Sequence, residues 1–157
     1  MKGSREAISV ALFNLLQTGL ASALANGTLK TFQRQPVIWS QVPDSQMPFL
    51  ILFKGGPATE EFIQPQPQHI GLTRYQIHWN LWLYLKADPS HQTLAETTMN
   101  NIADAIDAAM QTGAFGERQT LGNLVNNVWI EGGSEWSREF EDDNIVVFWR
   151  ITAETGI

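Results

Sequence analysis

Cysteine is absent from the 157-residue chain. Disulfides, zinc ribbons, thiol nucleophiles and cysteine-ligated clusters all need a thiol, so the sequence excludes them. Charge is scarce as well: 17% of the residues are charged, against roughly 25% in an average globular domain. The net charge is −6, without a run of Lys or Arg, which disfavours recognition of nucleic acid through its phosphates.

Long apolar runs are also missing. No stretch approaches the roughly 18 uninterrupted apolar residues that a membrane span needs. The first six residues lack the basic, apolar and small-residue pattern of a secretory signal. We therefore expect a soluble protein that contacts no membrane, and the lack of cysteine fits a reducing cytoplasm.

The elements that are present predict a single α+β domain over residues 1–157. Apolar residues recur at the helical period from Arg5 to Asn26. They recur again from Asp88-Pro89, an N-cap pair, to Gly113. Two helices on one face of a mostly antiparallel five-stranded sheet follow, in the order α-β-β-β-α-β-β. The predicted strands are Leu29–Val42, Pro48–Lys54, Arg74–Leu85, Leu124–Glu131 and Ile145–Thr152.

The strand Arg74–Leu85 is unusually long and aromatic. Its alternate residues from Tyr75 to Leu85 form an apolar row that should pack on the helices. The opposite row begins polar and becomes aromatic at Trp82 and Tyr84. With Phe148 of the last strand, these rings should lie on an uncovered sheet face. A large exposed apolar patch is typical of a surface that another protein covers.

The connection 55–71 is rich in Gly, Pro and Gln and is predicted to be a long extended loop. Connections of this length are uncommon in compact domains unless they are functional or disordered. We expect the loop to reach a neighbouring molecule. The predicted interface residues are therefore Glu60, Glu61, Phe62, Ile63, Trp82, Tyr84, Trp136, Phe148 and Arg150.

The sequence contains no recognisable catalytic or metal-binding pattern. The three histidines, His69, His78 and His91, accompany no G-x-S-x-G turn, and we interpret them as surface or interface residues. Asp104 and Asp107 lie one helical turn apart but have no histidine partner, so they are predicted to be a solvated helix face. The sequence thus predicts no enzyme activity, no cofactor and no metal.

Two features keep alternative interpretations. The acidic stretch 139–143 fits a solvated turn, or an anionic wall past which DNA slides. Trp82, Tyr84 and Arg150 fit a protein contact, or a platform on which single-stranded bases stack.

The order of elements resembles that of bacteriophage tail terminator (tail completion) proteins. The resemblance covers nearly the whole chain and is one of packing and turns. It is carried by the helix start Arg5–Leu12, Trp39, the strand Pro48–Leu52, the strand end Trp82–Leu85, Leu121–Val125, Val128–Gly132 and the closing strand Ile145–Arg150.

The resemblance implies a virion structural protein that forms a ring, expected to be hexameric, at the head-proximal end of a phage tail. Such a ring ends polymerisation of the tail tube and offers a surface to the head. The implied partners are sister subunits, the tail tube protein and the head–tail connector, with genomic DNA passing through the lumen unbound. The implied location is the virion, after assembly in the host cytoplasm. The alternatives are a connector or neck protein of the same particle, and a small enzyme or nucleic-acid-binding module.

Overall fold

The computed structural model describes residues 3–54, 60–63, 74–86, 92–113, 116–139 and 144–156. Three α-helices and six strands are assigned within these ranges, and two 3-10 turns lie at Trp39–Gln41 and Asp44–Gln46. The elements are α1 (Arg5–Gly19), α2 (Ala21–Asn26), β1 (Thr31–Gln33), β2 (Phe49–Phe53), β3 (Glu60–Ile63), β4 (Arg74–Lys86), α3 (Gln92–Met110), β5 (Asn127–Glu139) and β6 (Asn144–Gly156).

The strands form one mixed sheet. Five of them follow the order β1-β2-β4-β6-β5, and β3 pairs with the first residues of β4. Every pairing is antiparallel except that of β1 with β2. The predicted α+β class and the mostly antiparallel sheet are therefore confirmed.

The largest differences from the predicted strands lie in three places. The strand expected over Leu29–Val42 is limited to Thr31–Gln33, because the following segment leaves the sheet at Pro36 and forms 3-10 turns instead. Residues 60–63, expected in a loop, form β3 against β4. The strand predicted to end at Glu131 continues to Glu139, and residues 132–134 form a bulge within it, because pairing with β6 resumes at Glu135.

The first helix begins as predicted, with the Ser4 side chain accepting a hydrogen bond from the Ala7 N–H at 3.1 Å. It does not run unbroken to Asn26, because the chain leaves helical geometry at Leu20 before α2 starts. Gly27 ends α2 at a φ of 80°, a left-handed conformation that glycine adopts without steric cost.

The main core lies between the sheet and the helices α1 and α3. Alternate β4 residues from Ile77 to Leu85 are buried there, which confirms the predicted apolar row. The Trp79 indole N–H donates to the Ser9 hydroxyl at 3.1 Å, so the largest core side chain is also satisfied as a donor. One sheet face is thereby covered, and the candidate site lies on the other.

Candidate interaction surface

The second sheet face is covered at one end by the chain itself. Residues 36–47, here called the crossing segment, place Val42 and Met47 against Phe49 and Ile51 of β2. All four of these side chains are buried. The crossing segment is tied to the end of β4 by an ion pair between Asp44 and Lys86. A second, smaller core therefore exists where the sequence predicted an open face.

Tyr84 belongs to this second core. Its side chain is only 3% exposed, and its hydroxyl donates to the Val37 carbonyl at 3.0 Å. Burial raises the pKa of the phenol above its ordinary value of 10.0. The prediction that Tyr84 is exposed was wrong. The crossing segment folds back over the sheet and covers Tyr84, and its sequence has no pattern that predicts this.

Trp82 lies at the margin of the second core and is half-buried. Its ring meets Phe53 edge-on, with the ring centroids 5.0 Å apart, and approaches Tyr84 at 6.5 Å. Edge-on aromatic pairs of this kind stabilise by about 0.5–1.5 kcal/mol beyond their buried area. The Trp82 ring is thus held in a defined orientation at the boundary between core and surface.

An apolar groove of about 260 Å³ opens beside Trp82. Its floor is formed by Ile51, Phe53 and Tyr84, and its wall by the start of the crossing segment. Ile38 on that wall is 61% exposed, the highest exposure of a large apolar side chain among the described residues. A pocketed aromatic with an exposed aliphatic neighbour is typical of a protein contact.

Beyond the groove the second face carries both aromatic and charged side chains. Phe148 lies opposite Trp82 in the β4–β6 register and is half-buried. The Arg150 guanidinium lies 3.6 Å from the Glu131 carboxylate, so its predicted interface role competes with an internal ion pair. His78, expected near the surface, is buried with its Nδ1 2.7 Å from the Thr152 hydroxyl.

The remaining predicted interface residues are placed only through their strands. Glu60, Glu61, Phe62 and Ile63 form β3, in register with β4 from Ile77 to Arg74. Trp136 lies in β5 opposite Val147. Their side chains, His69, His91 and most of the loop 55–71 lie outside the described residues, so their roles stay predictions.

The groove residues Ile38, Trp39 and Phe53 were not predicted as site residues. Nothing in the alternation of β4 identifies them. Phe53 reaches Trp82 through the pairing of β2 with β4, whereas Ile38 and Trp39 line the groove only because the crossing segment folds back over β2. The available sequence signals were Pro36 and Pro43, which mark a segment unable to continue as a central strand.

The described side chains of this region also form no metal-binding cluster. Across the described ranges, no group of three or more His, Cys, Asp or Glu side chains is placed to hold a metal ion. Within the same residues, no helix is both long and apolar enough to cross a membrane.

Comparisons with known proteins give a likeness of fold alone. No protein-family model matches the chain, and no curated protein matches it. Among solved structures, a chain in the virion of the native gene transfer agent (GTA) particle matches at 14% sequence identity. The match covers 95% of this chain and 94% of that chain, with a TM-score of 0.53. The whole described fold, from α1 to β6, is thus one that also occurs in a virion particle.

Proposed function

We propose that this chain is a structural protein of a phage-type virion. It forms a ring at the head-proximal end of the tail, ends polymerisation of the tail tube and offers the head a binding surface. The observation that carries the proposal is the end-to-end match to a chain of the GTA virion.

The groove beside Trp82 supports assembly as the activity. Its described lining is apolar apart from the Tyr84 hydroxyl, which donates to the Val37 carbonyl, and it contains no carboxylate, imidazole, amine or aliphatic hydroxyl. A ring subunit must bury such surface against a neighbour, and the exposed Ile38 supplies an anchor for that contact.

The proposal is tested with tail tubes purified from the particle that encodes this chain. Native mass spectrometry should detect a closed oligomer of the purified protein, or electron microscopy should show it as rings seated on tube ends. A protein that stays monomeric and leaves the tubes uncapped contradicts the proposal. In a reconstructed particle, density at the tube end rather than within the connector separates the terminator from a neck protein.

Trp82→Ala tests the groove within the same assay. Because Trp82 is only half-buried, the variant should retain its circular dichroism spectrum while association weakens by about tenfold or more. Val10→Ala is the control, since Val10 is an exposed apolar side chain on α1, outside the groove. Equal loss of association in both variants would show that the groove is not specifically required for assembly.

A further inference from the structure

The Trp82 groove is lined mainly by aromatic rings. Four of its described lining residues are aromatic, namely Trp39, Phe53, Trp82 and Tyr84. Trp39, Phe53 and Trp82 are half-buried, so each leaves part of its ring open to a bound molecule. None of the described lining side chains is charged. Small aromatic-lined grooves of this kind bind proline-rich segments in the polyproline II conformation, as SH3 and WW domains do.

The chain itself contains a segment of matching chemistry. Residues 64–68 read Gln-Pro-Gln-Pro-Gln and carry no charge. Proline fixes φ near −65° and so favours polyproline II, which has three residues per turn. In that conformation Pro65 and Pro67 lie on two of the three edges of the helix and Gln66 lies on the third. Both proline rings can therefore face one groove, and a segment that is already extended loses little entropy on binding.

The groove of the same subunit lies beyond the reach of these prolines. Ile63 pairs with Arg74 at the start of β4, and residues 64–73, which connect them, lie outside the described residues. Trp82 is eight residues further along β4 than Arg74, about 27 Å at the rise of an antiparallel strand. Phe53, at the near end of the groove, is about 20 Å along by its pairing with β4. Pro67 follows Ile63 by four residues and can extend only about 14 Å from it.

We propose that residues 64–68 of one copy bind the Trp82 groove of the next copy. This inference rests on the proposed ring and names a contact between its neighbouring subunits. The groove and the connection 64–73 lie toward opposite ends of β4, so the contact is heterologous. Each copy supplies one segment and one groove, and repetition of a single rotation closes the ring.

A peptide tests the recognition without requiring assembly. The receptor is the full chain with Pro65→Ala and Pro67→Ala, whose groove is left open to an added ligand. The probe is a synthetic peptide of residues 61–70, and its matched control carries the same two alanine substitutions. The proline peptide should bind at least about tenfold more tightly than the control, measured by isothermal titration calorimetry. Adding Trp82→Ala to the receptor should abolish that difference, and equal affinity of the two peptides for the unaltered groove overturns the inference.

Disulfide cross-linking tests which copy supplies the segment. The chain contains no cysteine, so introduced cysteines pair only with each other. Ile38→Cys places a thiol on the groove wall, and Gln64→Cys places one beside Pro65. The protein with both substitutions, oxidised and then denatured, should run as a ladder of dimers, trimers and larger species. A matched control combines Val10→Cys with Gln64→Cys, since Val10 is exposed on α1 outside the groove, and it should give no ladder.

The outcomes separate this contact from the proposed function. A disulfide confined to single chains would place the segment in its own groove and overturn the inference. Rings of wild type accompanied by neither a ladder nor a preference for the proline peptide also overturn it and leave the proposed function standing. A ladder that ends at the dimer retains the contact between segment and groove but overturns the ring.

Discussion

Gly19 sets the distance between α1 and α3. A Cβ added at this position would overlap the Ala109 Cβ and lie 3.1 Å from the Ala109 Cα. In an unconstrained helix, Gly→Ala stabilises by about 1 kcal/mol. Here overpacking, which costs about 1–3 kcal/mol, opposes that gain. We expect Gly19→Ala to lower the free energy of unfolding by about 1 kcal/mol, measured by urea denaturation.

Two further variants isolate the steric cause. Gln17→Ala, at an exposed position of the same helix, should leave the free energy of unfolding within about 0.5 kcal/mol of wild type. Gly19→Ala combined with Ala109→Gly should recover part of the loss, because the glycine is then on the facing helix. A Gly19→Ala protein about 1 kcal/mol more stable than wild type would show that the helices separate without cost.

The crossing segment is the element that turns one uncovered sheet face into a core and a groove. The Tyr84 hydroxyl is its buried hydrogen-bond anchor, through the Val37 carbonyl. Tyr84→Phe should lower the free energy of unfolding by about 1 kcal/mol, the usual net contribution of such a bond. Lys86→Gln, which removes an exposed ion pair with Asp44, should change it by less than about 0.5 kcal/mol. The reverse ranking would show that the ion pair anchors the segment.

The pH dependence of stability provides a second test of the Tyr84 hydroxyl. The folded-state pKa of Tyr84 is raised above 10.0 by burial, so the unfolded chain loses this proton first as pH rises. The stability of wild type should therefore fall above about pH 10 through this residue. The Tyr84→Phe protein lacks that contribution, so its stability should fall less steeply between pH 9 and 11 (a range set about the ordinary tyrosine pKa).

Elements determined by local pattern were predictable, and elements determined by long-range packing were not. The alternation from Ile77 to Leu85 specifies both the strand and its buried face, because a side-chain period of two leaves one register. The crossing segment has no such period, and only its contacts with Phe49, Ile51 and Tyr84 determine where it lies. The sequence therefore predicted that the Trp82 ring lies on the second sheet face. The burial of Tyr84 and the position of Ile38 on the groove wall could be seen only in the structure.

At the scale of the whole molecule, the fold and the exposed side chains make different contributions to the proposed ring. The fold is shared with a GTA virion chain at 14% identity, so it can be maintained by very different side chains. Ile38 is exposed beside the groove and lies outside both cores. Assembly specificity should accordingly depend on surface side chains that the fold itself does not need.

Ionic strength separates apolar burial from charge attraction in the contact between subunits. Raising NaCl from 0.1 M to 1 M shortens the Debye length from about 10 Å to about 3 Å. The groove beside Trp82 is apolar, and salts that are excluded from protein surfaces strengthen apolar burial. The dissociation constant between subunits, measured by sedimentation velocity, should therefore stay level or fall as salt is raised. A dissociation constant that rises by about tenfold would instead assign the contact to attraction between opposite charges.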